Sequence, residues 1–430
     1  MPRGSTSRRW RPCATTCWPG SAEERSEHER DRPGPDGHHR VPGVPRRAGA
    51  DARARGWRGG AGLPGHLRLR LPGARRHPRA AGRRGPPTVT WFDESRLDDP
   101  VALERFDLRL RTLAESGARV RREVGEAAEA IAEAVARARD ADRPRAVVAA
   151  GPDSRLLRAV LEPACPVPFV AWPSPALPGW AGGLDLVIVL APDGGDVRTA
   201  SAIAEAVRRG CQVVVGCPPA SLVAEHAVGR DVTVLPTSTR DQLGMAVAML
   251  SFLDQVQLGP ATSPDDVADA LDEVATRCAP RRDLAVNPGK ALAIALADST
   301  PVVWGGTVLA ARAARRVAES LRRATGRTAL AGDADVLLPV LEATRPRDVF
   351  DDPFADDTGE PRPMLVVLDD GSQDAVVTEQ RHLLTAAADE RGVRVEVVEA
   401  TSGSEVARYA SLLLSGTYGA EYLRLALVED

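Results

Sequence analysis

Residues 184–216 read LDLVIVLAPDGGDVRTASAIAEAVRRGCQVVVG, and no other stretch constrains the fold as tightly. An unbroken apolar run of strand length meets a Pro/Asp/Gly turn. A segment with apolar residues at helical spacing follows, then a second apolar run. Strands that are apolar on every residue bury both faces, so they belong to a parallel sheet covered by helices on each side. The same alternation extends both ways. Strands are expected at 146–150, 167–171, 184–190, 212–215 and 232–235, with helices from Ser154 and over 197–209, 221–228 and 240–258.

A helical bridge over 264–298 separates this half from a second with the same pattern. There, strands are expected at 301–304, 328–331, 364–368 and 394–398, alternating with helices over 308–324, 335–342, 374–391 and 405–427. The acidic, proline-rich stretch 348–363 reads as a surface loop. The fold class is therefore α/β, with two doubly wound parallel-sheet domains and flanking helices. The boundaries expected are a helical lead-in over 89–140, a first domain over 141–260, and a helical bridge with the second domain over 261–430.

Residues 1–88 differ in kind. They hold 20 Arg and 7 acidic residues, whereas 89–430 hold 36 basic and 52 acidic. Gly, Pro and Arg recur without apolar periodicity. Three readings stay open: an extension translated from a mis-called start in GC-rich DNA, a disordered tail, or a basic arm for nucleic acid. The first is preferred, so no nucleic-acid partner is expected. No apolar run is long enough to cross a membrane, and no secretory signal is evident. The protein is expected in the cytoplasm. The six cysteines show no zinc-like spacing and are read as inert thiols in a reducing compartment.

Dinucleotide, Walker, zinc-protease and nucleophile-elbow motifs are all missing, so no cofactor and no metal are expected. Lys290 is the sole lysine. Glycine turns carry the candidate contacts: Gly151 with Ser154, Gly194 in the turn 191–196, and Gly305-Gly306-Thr307. At each of them an N-cap or tight-turn role competes with ligand binding. Arg198 and Thr199 stand just inside a helix that could meet an anion. A metal bridge between Asp193 and Asp196 is disfavoured against a plain helix-capping role for Asp196.

The segments AVVAAGPDSRLL, 184–216, NPGKALAIALADSTPVVWGG and EVARYASLLLSGTYGAEYLRLAL, in this order, resemble the double SIS (sugar isomerase) proteins. The nearest resemblance is to bifunctional phosphoglucose/phosphomannose isomerases, in a divergent actinobacterial, TobH-like branch. It implies a sugar phosphate ligand, a homodimer paired through faces such as 291–297, and a ligand site at the strand ends between the halves. It also implies a phosphate loop, S-x-S-G-x-T. Laid on this chain, the serines fall at Ala191 and Asp193, the glycine at Gly194 and the threonine at Asp196, so only the glycine matches. The family's Gln-Leu-Asn-Glu-Asn region falls on Leu321–Thr325, and no histidine lies between His226 and His382.

Isomerisation through an enediol needs a base and a ring-opening acid. Glu342 is the remaining candidate base, with His226 and His382 as weaker titrating groups, and Thr417 is a candidate substrate contact. The function expected is phosphosugar binding by a protein of impaired or absent turnover, in a regulatory role. An active metal-independent aldose–ketose isomerase and a structural interaction protein remain as alternatives.

Overall fold

The computed structural model describes residues 90–346 and 361–429. The expectations placed on 1–88 and on most of the 348–363 loop lie outside them. Strand β1 (Thr90–Phe92) leads through a short 3-10 turn into helices α1 (Pro100–Ala114) and α2 (Ser116–Arg139). Asp99 caps α1 by accepting from the Val101 and Ala102 amides, with Pro100 at the first helical position, where its missing N–H costs nothing.

The first half then runs β2 (Val147–Ala150), α3 (Ser154–Leu161), β3 (Phe169–Trp172), β4 (Leu186–Leu190), α4 (Val197–Arg208), β5 (Gln212–Cys217), α5 (Leu222–His226), β6 (Val232–Pro236) and α6 (Gln242–Gln255). Helices α7 (Pro264–Arg277) and α8 (Pro288–Leu296) bridge to the second half. That half runs β7 (Ser299–Trp304), α9 (Val308–Thr325), β8 (Leu330–Ala331), α10 (Ala334–Glu342), β9 (Arg362–Asp369), α11 (Ala375–Glu390), β10 (Val395–Glu399), α12 (Glu405–Ala426) and β11 (Leu427–Glu429).

The first sheet has the order β3-β2-β4-β5-β6 and the second β10-β9-β7-β8, and all pairs in both are parallel. Counted from its own first strand, each half follows the same winding, 2-1-3-4, and the first adds a fifth strand. Two features were not legible in the sequence. β1 pairs antiparallel with β11, joining the two ends of the described chain. The acidic loop also gives way to strand at Arg362, so 362–363 pair with β7 rather than lying in a loop.

Alternate residues of each strand enter different cores. Val147, Ala149, Ile188 and Leu190 of the first sheet share one continuous core with Val303, Met364, Val366 and Leu368 of the second. Between these two inner faces lie α2, α6, α7, α8, α9 and α12, packed on one another. The outer faces are covered separately, by α4 and α5 on one side and α10 and α11 on the other. Helix α6 of the shared layer is apolar along most of its length, as in MAVAML and FL, because nearly all of its central residues are buried.

Burial also spends the face 291–297 that the sequence offered for dimerisation. Leu292, Ala293, Leu296 and Ala297 are all buried, and α8 packs on α12 of the same chain. Gly419 of α12 would drive a Cβ to 2.5 Å from Leu292, so the two helices are in close contact there. The thiols of Cys211, Cys217 and Cys278 are buried and free. Burial pushes the Cys278 thiol up to about 11, so it stays protonated and inert.

Lys290 is fully buried in this layer. Its ammonium donates to Asp98 Oδ1 at 2.6 Å, to the Pro280 carbonyl at 2.8 Å and to the Arg282 carbonyl at 2.9 Å. It also stands 5.7 Å from the centre of the Tyr422 ring. All three donors are satisfied, so the lysine staples the lead-in, the bridge and α12 together. Lys290→Met should cost about 2–4 kcal/mol of unfolding free energy, because Asp98 and two carbonyls lose their donor. Urea denaturation checks this; a loss below about 0.5 kcal/mol would reduce the staple to a spectator.

Candidate functional site

In each sheet the central strand pair sends its helices to opposite faces. From β2 the chain enters α3 on the inner face, and from β4 it enters α4 on the outer face. The same divergence separates β7 with α9 from β9 with α11. Such switch points open a crevice beyond the carboxyl ends of the strands.

The first crevice is flanked by the Gly151 turn and by the loop 191–196. A cavity of about 110 Å³ lies there, lined by Gly151, Pro152, Pro173, Ser174, Asp196 and Arg198. Gly151 has φ +90°, a conformation glycine adopts freely, and its N–H donates to the Trp172 carbonyl. Gly194, at φ +63°, lies so close to Ser221 that an added Cβ would sit 2.4 Å from the serine Cβ. Its glycine is therefore required by packing.

The amides a phosphate would use at α4 are already taken. Asp196 caps the helix, accepting from the Arg198 amide at 3.3 Å and the Thr199 amide at 3.1 Å. The buried Thr199 hydroxyl donates to the same carboxylate. That hydroxyl, together with the two amides, holds the Asp196 carboxyl below the usual range. Arg198 is exposed at the cavity mouth.

The second crevice repeats this arrangement. Five residues separate Leu190 from Asp196, and five separate Leu368 from Asp374. Asp374 caps α11 through the Val376 and Val377 amides, at 2.8 and 3.1 Å. Thr307 caps α9, and its hydroxyl donates to Asp370 across the switch point. Asp369 is gripped by both terminal nitrogens of Arg381, at 2.7 and 2.6 Å. Gly305 and Gly306 pack against the Ala310 backbone and against Val377 and Trp304, leaving no room for a Cβ.

At the switch points α3 differs from α4, α9 and α11. Its N-cap residue, Asp153, makes no capping bond. Asp153 Oδ1 instead accepts from Gln242 Nε2 at 2.6 Å. Ser154 is buried, and its hydroxyl meets no partner. Burial raises the Asp153 carboxyl pKa, and Asp193 and Asp196 add to the rise, against the pull of Arg316 and Arg312. The Asp153 carboxylate thus feels both the acidic loop of the first half and two arginines of α9.

Other residues singled out from the sequence lie elsewhere. Glu342 is exposed on the last residue of α10, at the end away from that crevice. Thr417 sits mid-helix, roughly 18 Å along α12 from its start, and its hydroxyl donates to the Leu413 carbonyl. His226 and His382 are exposed. Among the described residues no cluster of three or more His, Cys, Asp or Glu side chains could hold a metal, and no helix is long and apolar enough to cross a membrane. Arg312, Arg316, Gln242 and the loop 369–374 escaped the sequence reading. The equal loop lengths ending in Asp196 and Asp374 were the available signal.

Comparison with known proteins agrees with this geometry. Residues 285–428 match the family described as the bacterial phospho-glucose isomerase C-terminal SIS domain. The fold is that of the SIS phosphosugar isomerases. Tagatose-6-phosphate ketose/aldose isomerase from Escherichia coli superposes with a TM-score of 0.53 at 12% identity, over 73% of this chain and 93% of that one. A putative phosphosugar isomerase from Silicibacter pomeroyi gives 0.51 at 16%, over 73% and 95%. The C-terminal domain of glucosamine-fructose-6-phosphate aminotransferase from Francisella tularensis gives 0.50 at 11%, over 74% and 96%. No curated protein matches the sequence. The chain thus shares the fold of these proteins, and its segment 285–428 is similar to the bacterial phospho-glucose isomerase C-terminal SIS domain.

The raised Asp153 pKa has a measurable sign. The folded state holds this proton more tightly than the unfolded chain, so the penalty on folding is complete above the folded pKa, shrinks as pH falls between the folded and unfolded values, and vanishes only below the unfolded one. Asp153→Asn keeps an acceptor for Gln242 and removes the charge. Its melting temperature should exceed that of the parent at pH 7, and the difference should shrink towards zero as pH falls through the acid range. A variant less stable at pH 7 would mean that Arg312 and Arg316 outweigh burial.

Proposed function

We propose that this protein binds a hexose phosphate in the crevice between its halves and does not isomerise it. One observation carries the reading: the helix N-terminus at each switch point, α4 and α11, is capped by the chain's own aspartate. A phosphate at α4 would have to displace Asp196 from its amides and remain beside Asp193. At about 5 Å and an effective dielectric near 20, each unit-charge pair costs about 3 kcal/mol. A dianion facing two carboxylates therefore loses several kcal/mol there, enough to overcome the 0.3–1 kcal/mol or so that a helix dipole supplies.

The chemistry of isomerisation is likewise unsupported by the residues at the strand ends. The two histidines of the described chain are exposed on α5 and α11, and Glu342 is exposed at the far end of α10. No imidazole among the described residues faces the Gly151 turn to open a sugar ring; Asp196 is committed to its cap, Asp153 accepts from Gln242, and Asp193 is exposed. What the fold retains is the crevice at each switch point and the start of α3, which Asp153 leaves uncapped. A role in sensing a phosphosugar, in the cytoplasm and as a pair of chains, follows from this reading. The pair would have to form through a surface other than the buried face of α8.

Glucose 6-phosphate, fructose 6-phosphate and mannose 6-phosphate should each be tested in two assays. Thermal shift should show a saturable rise in melting temperature with at least one of them, amounting to about 2.7 kcal/mol at a hundredfold excess over Kd. Coupled isomerase assays should stay at background. Turnover above background would restore the isomerase reading; no shift with any sugar phosphate would leave a structural protein.

A further inference from the structure

We propose that Arg155, Arg312 and Arg316 form a phosphate subsite between the two halves, which holds the dianion of a phosphomonoester on the face opposite the acidic loop. The subsite rests on the phosphosugar reading above and deepens it by placing the phosphate.

The geometry comes from the packing of α3, in the first half, on α9, in the second. Arg155 stands in the first turn of α3. Arg312 and Arg316 are one turn apart on α9, beside the stripe Leu309, Ala313, Val317 and Leu321 that fixes this helix in the shared core. Each half therefore supplies cationic groups to one junction, close to the carboxyl ends of both sheets.

Two of these three guanidiniums lack an ion pair among the described residues. Arg312 Nε is shielded from water and meets no acceptor. Among the described residues neither Arg312 nor Arg155 has an ion pair. Arg316 pairs with Glu319 at 2.6 Å. Asp153 feels Arg312 and Arg316 but closes an ion pair with neither, because Gln242 holds its Oδ1. Burial lowers the Arg312 pKa. The buried Tyr409 hydroxyl opposes that effect, while Arg316 and Arg155 add to it as like charges. A buried charged donor without a counter-ion is costly, and like charges held together raise the cost.

An arriving dianion reverses each of these terms. A guanidinium presents a planar fork that matches two phosphate oxygens, and the pairing is strong where water is excluded. The start of α3 adds to the same junction. Asp153 caps none of its amides, of which the Ser154 N–H donates to the Gly151 carbonyl, and the Ser154 hydroxyl is buried with no partner. At α4, α6, α9, α11 and α12 a side chain of this chain already fills the corresponding place. The anion is thus drawn to α3 and α9 by vacant donors and kept from α4 by Asp193 and Asp196.

The test is isothermal titration of the full chain in phosphate-free buffer with glucose 6-phosphate, inorganic phosphate and glucose. Arg312→Gln removes the most buried guanidinium. Arg155→Gln removes an exposed one with no ion-pair partner, so its folding should be intact by melting temperature. Arg198→Gln is the control on the acidic-loop side. Affinity for glucose 6-phosphate should fall roughly tenfold or more in both Arg312→Gln and Arg155→Gln and stay within about twofold in Arg198→Gln. Inorganic phosphate should compete, and glucose should not.

Equal affinity in the parent and in Arg155→Gln and Arg312→Gln overturns the subsite while the phosphosugar reading stands. The subsite also falls if Arg198→Gln is the variant that loses binding. If inorganic phosphate binds through these arginines and no sugar phosphate does, the subsite stands and the phosphosugar reading falls. Absence of binding by any of these ligands at about 10 mM, far above the usual affinity range, overturns both.

Discussion

The structure depends on one shared layer of helices. Parallel sheets need both faces covered, and here each sheet covers its inner face with helices that the other sheet also uses. Neither half can close that face alone. α7 and α8 come from the bridge, and α12, the last helix, returns to pack on α7, α8 and α9. Each fully buried Leu or Val contributes about 1.5–3 kcal/mol, and dozens meet in this layer. Consequences follow for the site. Because α3 and α9 are seated in the same core and pack on each other, the two halves meet at this junction. The Lys290 ammonium reinforces the arrangement by tying the lead-in and the bridge to one point.

The second constraint is electrostatic. A doubly wound half offers helix N-termini at its switch point, and those amides attract negative charge. This chain satisfies them from within. Asp196 and Asp374 occupy equivalent positions after β4 and β9, and Asp370 receives the Thr307 hydroxyl between β7 and β9. The internal caps stabilise the loops and make both switch points hostile to a phosphate. Cationic groups have gathered across the junction, on α9 and at the start of α3. Charge in the crevice is therefore divided, acidic on the side of the first-half loop and basic on the side of α9. Asp153 feels both sides, its proton held more tightly because burial and the acidic loop outweigh the two guanidiniums.

Much of the fold could be read in the sequence because its signal is dense. Runs such as LVIVL and MLVVL are apolar on every residue, and stripes such as Leu309, Ala313 and Val317 carry helical spacing. The capping role of Asp196 was equally legible, since residue type and position before the helix suffice. The pairing of β1 with β11 was not, because three-residue strands at opposite ends of the chain carry no local pattern. Nor was the fate of α8. Its apolar face looks the same whether it meets α12 or a second chain, and only tertiary packing decides between them. Gly305 and Gly306 show the same limit. A glycine turn permits a ligand or a neighbouring backbone, and here the Ala310 backbone, Trp304 and Val377 fill the space. The arginines of α9 were hidden in a chain where arginine is the ordinary basic residue. Their significance appears only when α3 is found opposite them.

A crystal structure of the full chain soaked with glucose 6-phosphate decides where the phosphate lodges. Phosphate density is predicted between α3 and α9, within hydrogen-bonding distance of the Arg312 guanidinium, with Asp196 still capping α4. Phosphate lodged on the α4 amides, with Asp196 swung out of its cap, would contradict it.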